Sequence, residues 1–211
     1  MEKSFRMMKR IIFFLVAALV AVSPAFAQEM SSKDAMKRAK QESKKETKKL
    51  IKDGYDMIEL GDLETALADF LYDATFNKKI QIYGTAMRSN RTNAIDEAIF
   101  NALANYSATE GGIMKGRADQ QIASIGEEEI NNYVSAYERM LVQELKGEVR
   151  PRITLMRQSK KQYDIMVYCL LDKDHAHKAR MTALQNAAEE QKLIDKYGDL
   201  VSDFINKGFE E

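Results

Sequence analysis

The sequence DKDHAH puts Asp172, Asp174, His175 and His177 within six residues, the one constellation in the chain whose types could do chemistry. Imidazoles and carboxylates of this kind hold zinc or copper, and a metal-bound water supports hydrolysis. Spacing decides whether they act together. Side chains two apart share a side only in extended structure; in a helix they point about 200° apart at roughly 100° per residue. Asp174 reads as the N-cap of the last helix, so the histidines are expected to diverge and the chain to hold neither a metal nor another cofactor. A periplasmic metal-dependent hydrolase that completes this cluster with carboxylates from elsewhere in the fold is the alternative reading.

The other reactive types are poorer in chemistry. Cys169, the sole cysteine, lies in YDIMVYCLLD, where a buried thiol behaves as a small hydrophobe, and an internal disulfide is impossible. Gly111, Gly112 and Gly116 do not make a phosphate loop, because Lys115 precedes Gly116-Arg117 and no Gly-Lys-Ser/Thr ending follows. Residues 107–125 read instead as a flexible connection. Glu127, Glu128 and Glu129 suit the positive end of a helix and have no nucleophile or histidine beside them in sequence. No catalytic residues are assigned.

The elements that position these residues follow from periodicity. KIQIYGTAMR, residues 79–88, alternates Ile80, Ile82, Gly84 and Ala86 with Gln81, Tyr83, Thr85 and Met87, as a strand does. A helix over 91–107 carries Ala94, Ala98 and Ala102 in one row, a shallow track against which a strand bearing Gly84 can pack closely. Leu63 to Ala74 and 126–146 read as amphipathic helices, the first capped by Asp62. Two extended segments, 149–157 and 162–171, form a hairpin, with Pro151 holding the first to an edge at its start and the doubly apolar second one buried. A long helix is expected over 174–207. The expected class is α+β, with an antiparallel sheet of about three strands covered by helices.

At the start of the chain, Lys3, Arg6, Lys9 and Arg10 precede the apolar run IIFFLVAALVAV, and Ser23, Pro24 and Ala25-Phe26-Ala27 follow it. This predicts a signal peptide over 1–27, cut before Gln28, because a 12-residue helix reaches only about 18 Å of a hydrocarbon core of about 30 Å. The mature chain is expected in the periplasm or outside. Charge is divided: residues 31–53 carry nine basic and four acidic side chains, and residues 54–211 carry 19 basic and 26 acidic. The basic stretch, residues 32–52, reads as a helix whose middle turns are polar all round, either solvated or docked only by its ends, an arm or packing element within residues 28–60 outside a domain of residues 61–211. It lacks the aromatic or leucine face of an interfacial helix, so weak contact with an anionic lipid or polysaccharide is secondary, and export speaks against nucleic acid.

The strand ending in IYGTA, the helix NAIDEAIFNALANY, the segment ELKGEVRPRITL and the strand QYDIMVYCLL together resemble the small bacterial envelope lipoproteins of the twenty-kilodalton type, over about residues 79–175. The resemblance implies a module also found in the flagellar assembly protein T, with no catalytic residues to carry over. KKETKKLIKDGYDMIELGDLETAL is similar to the lysine-rich lead of exported proteins from gut commensal bacteria that carry this domain. This chain lacks the anchoring cysteine of the lipoproteins. The leading expectation is a non-enzymatic envelope protein that binds or scaffolds another envelope protein or a second copy of itself.

Overall fold

The computed structural model describes residues 31–207, so the leader predicted over 1–27 lies outside the described residues. Lys33–Glu211 forms one compact unit. In chain order the elements are α1 (Ser32–Lys52), β1 (Asp56–Met57), α2 (Leu63–Thr75), β2 (Ile80–Arg88), α3 (Arg91–Gln121), a short 3-10 turn (Ala123–Ile125), α4 (Glu127–Leu145), β3 (Pro151–Ser159), β4 (Gln162–Leu171), α5 (Lys173–Glu190), α6 (Leu193–Tyr197) and α7 (Asp199–Lys207). The fold is α+β, with an antiparallel sheet in the order β1-β3-β4-β2. The strand not foreseen is β1, whose two residues pair with Leu155 and Met156. It is too short for alternation to register.

The sheet separates two apolar clusters. Ile82, Ile165, Val167, Cys169 and Leu171 face the main core with residues of α3, α4 and α5. Tyr168, Ile153 and Leu155 face the other way, toward Leu50, Tyr55, Leu63, Leu67 and Phe70. Because side chains alternate along β4, one strand feeds both clusters, which is why it is apolar on both faces. On the second side Tyr168 meets Tyr83 and Phe70 edge-on, at ring-centroid distances of 5.1 and 5.5 Å.

The alanine row of α3 lies directly on β2. Ala94, Ala98 and Ala102 are fully buried. A methyl group at Gly84 would sit 1.9 Å from the Ala98 carbonyl oxygen and 2.5 Å from the Ala102 nitrogen, so only a glycine allows the helix this close. The approach also closes the edge of the sheet. The Asn101 side-chain amide donates to the Thr85 carbonyl at 2.9 Å, and that of Asn105 reaches the Tyr83 carbonyl at 3.5 Å. On the other side of the sheet the short β1–β3 pairing is extended beyond β1, the Thr154 amide donating to the Glu59 carboxylate at 3.0 Å and the Thr154 carbonyl accepting from the Ile58 amide at 2.9 Å. The β2 margin is thus guarded against pairing with a further strand, and β1 with residues 58–59 occupies the side of β3 away from β4.

Three expectations are corrected. Residues 107–125 are not a flexible connection: α3 continues to Gln121, because its Ser107, Glu110, Gly111, Met114 and Ala118 are buried. Ser107 Oγ donates to the Glu138 carbonyl at 2.5 Å, and Gly111 lets α4 in close, since a methyl there would meet Glu138 Cγ at 2.6 Å. The helix expected over 174–207 is three helices, broken at Lys192 and Gly198, whose φ values are 54° and 49°. Straight, it would run about 50 Å; folded back, it buries Leu193, Val201, Phe204 and Ile205, with Phe204 against Tyr133. Finally, α1 is not an arm outside the domain, although its middle turns are polar in residue type. Ala35, Ala39, Ser43, Thr47 and Leu50 form a buried side, and the helix belongs to the compact unit.

Two glycine substitutions should therefore move stability in opposite directions. Gly84→Ala forces α3 off the sheet and is expected to cost at least about 1–3 kcal/mol, lowering the melting temperature by several degrees. Gly112, inside α3 with nothing within 4 Å of an added methyl, should gain about 0.5–1 kcal/mol as alanine. Thermal melts of the two variants beside wild type check both signs.

Candidate functional site

The Asp172 to His177 cluster is dispersed by the helix it starts. Asp172, not Asp174, is the N-cap of α5, its carboxylate accepting from the Asp174 amide at 3.0 Å. Asp174 is then in the first turn, and His175 and His177, both exposed, leave the helix on different sides. Among the described residues no group of three or more His, Cys, Asp or Glu side chains is placed to hold a metal ion. His175 instead lines a groove of about 220 Å³ with Glu144, Glu148, Lys178 and Thr182. The groove is mixed in charge and brings a base, an ammonium and two carboxylates together at the surface.

Inside the protein, ionisable groups are set against one another where elements meet. Glu110 of α3 and Arg180 of α5 pair at 3.2 Å, with only 8 % and 14 % of their side chains exposed. The Tyr106 hydroxyl lies close enough to Glu110 to feel its charge, without a well-formed hydrogen bond. Burial first, and the Glu110 charge second, push the Tyr106 and Tyr137 hydroxyls above the usual phenol range. This knot ties α3, α4 and α5 together. Cys169 is buried, and burial pushes its thiol up to about 12, which makes it an inert core residue rather than a nucleophile.

A second knot fixes α1 to the sheet. Tyr55, just past the end of α1, donates its hydroxyl to Asp164 at 2.9 Å, and Arg157 binds the same carboxylate at 2.5 Å. The Arg157 guanidinium also lies 4.7 Å from the Tyr55 ring centre and donates to the Asp53 carbonyl at 3.0 Å. Leu50, near the end of α1, packs with Leu67, Phe70 and Tyr168 in the cluster on this face of the sheet.

The consequence is a basic surface on a fixed support. Lys33, Lys37, Arg38, Lys40, Lys44, Lys45, Lys48, Lys49 and Lys52 are all exposed. At about 100° per residue these side chains fall within an arc of about 180°, and the buried ones within an opposed arc of about 120°. Sequence reasoning missed this arrangement. The signal was the run of small residues Ala35, Ala39, Ser43 and Thr47 at every fourth place, the same spacing that marked the alanine row of α3. No helix among the described residues is long and apolar enough to cross a membrane.

The interior pair makes a clear prediction. Glu110→Gln or Arg180→Met leaves one buried charge uncompensated and should cost about 3–5 kcal/mol, whereas Glu110→Leu with Arg180→Met together should recover most of that loss. Denaturant unfolding of the two single variants and the double variant measures it.

Comparison with known protein families, with curated proteins and with solved structures finds no match to this chain.

Proposed function

We propose that this chain is an exported protein of the cell envelope that binds or scaffolds a partner and catalyses no reaction. The observation that carries the reading is where the ionisable side chains lie. In the interior they pair across element boundaries, as Glu110 does with Arg180 and Asp164 with Arg157 and Tyr55. On the outside, nine basic side chains lie together on one face of α1, whose opposite side is buried. A rigid, charged, solvent-facing helix presents a surface for another macromolecule; it does not enclose a small substrate. The leader pattern at the start of the chain supports export, and the resemblance to the twenty-kilodalton envelope lipoproteins supports a role in the envelope. The partner class is an envelope component or a second copy of this chain.

One feature favours the rival, a metal-dependent hydrolase: His175 shares its groove with Glu144 and Glu148. Metal analysis separates the two. The chain from Gln28 onward, which contains the whole compact unit, should carry no stoichiometric metal, and His175→Ala with His177→Ala should leave its metal content unchanged. One zinc or copper per chain, lost in that double variant, would contradict the binding reading and favour the hydrolase.

A further inference from the structure

We infer that α1 is a membrane-surface contact, its basic face adsorbing to a layer of anionic lipid headgroups without inserting. The inference rests on the binding reading and names the partner for its most charged surface.

The geometry suits a surface better than a dissolved polymer. The nine exposed basic side chains of α1 occupy one half of a straight helix of 21 residues, about 30 Å long. Asp34 is the acid within the basic arc; Glu42 sits at its margin, and Glu46, half-buried, falls among the directions of the buried residues. Eight of the nine cations are lysines, compact charges on flexible stems that meet a diffuse anionic layer without needing the planar, two-pronged geometry at which arginine excels. The helix has no aromatic residue on which a base or sugar ring could stack, which counts against nucleic acid and polysaccharide. Ile51 is 60 % exposed and falls inside the basic arc, between the directions of Lys40 and Lys44. It is the single large apolar group there, too little to drive insertion.

Charge complementarity extends to the whole molecule. Residues 54–211 carry 19 basic and 26 acidic side chains, so an anionic surface repels the body while attracting α1. That asymmetry orients the molecule as it approaches, with α1 toward the lipid. Because α1 is fixed by its buried side and by the Tyr55, Asp164 and Arg157 knot, the lysines are displayed without a folding cost on binding.

The test is flotation of the chain from Gln28 onward with phosphatidylcholine vesicles, with and without about one third phosphatidylglycerol. Partitioning onto the anionic vesicles should exceed that onto neutral ones at least tenfold at about 0.1 M salt and collapse at about 0.5 M, the screening length shrinking accordingly. The variant Lys37→Gln, Lys44→Gln, Lys45→Gln, Lys48→Gln should lose that advantage with its melting temperature kept. Lys146→Gln, Lys160→Gln, Lys161→Gln, Lys173→Gln, an equal change of net charge at other exposed lysines, should keep it within about twofold. Equal binding to both vesicle types, or equal loss in both variants, would overturn the inference, as would tight binding to soluble heparin with none to anionic vesicles. A defined crosslinked envelope partner with no vesicle binding would overturn this inference and leave the binding reading standing. Stoichiometric metal would overturn that reading whatever the vesicles show.

Discussion

The closeness of α3 to β2 is the constraint on which the main core depends. A helix ordinarily stands off a sheet by the length of the side chains between them, but here Gly84 removes one side of the contact and Ala98 and Ala102 supply the other. Once α3 lies that near, Asn101 and Asn105 reach the outer carbonyls of β2, and a strand that would otherwise expose its edge is closed. The same helix, continued through Gly111, presents its far end to α4 at short range. Small residues at fourth positions thus do in this protein what large interlocking side chains do in many others: they set distance, and distance sets which polar groups can meet.

The buried charges take their places within that frame. Glu110 and Arg180 join α3 to α5, and Asp164 gathers Arg157 and Tyr55 at the corner where α1 ends. Such knots contribute less to net stability than a well-packed apolar replacement would, but each demands one arrangement of its elements and penalises others. The second knot matters for the surface, because it turns a lysine-rich segment into a helix with a defined inner and outer side. Sequence, local structure and electrostatics meet at that point: small residues inward, cations outward, and the chain just past the helix tied to the sheet.

Much of this was legible in the sequence where one period dominated. The strands over 80–88 and 162–171 and the helices beginning at Arg91 and Glu127 announce themselves through alternation, caps and alanine spacing. The readings that failed did so because a local signal was overridden by packing. Gly111, Gly112 and Gly116 read as a loop, yet the buried neighbours of Gly111 carry α3 through them. The last segment reads as one helix because its apolar residues keep a helical period, yet Lys192 takes a left-handed conformation that no propensity scale marks, and Gly198 supplies the next turn. In α1 the buried side was hidden because serine and threonine count as polar, although Ser43 returns its hydroxyl to the Lys40 carbonyl and packs as a small residue. Of the candidate site, the start of a helix in this stretch and the divergence of its histidines were readable, but the cap is Asp172 where Asp174 was expected, and the groove that gives His175 its neighbours was hidden because Glu144 and Glu148 lie about 30 residues earlier in the chain.

The central claim is that β2 and α3 are held at a distance that leaves no room for one more methyl group. A double-mutant cycle measures this most directly, using Ala98→Leu on the helix and Gly84→Ala on the strand. If both act by prying the same contact apart, the first opens the space that the second needs, and the combined loss of stability should fall short of the sum by at least about 1 kcal/mol. Losses that add to within about 0.5 kcal/mol would mean the two residues act independently, and would contradict the account of the contact as the constraint that sets the rest of the core.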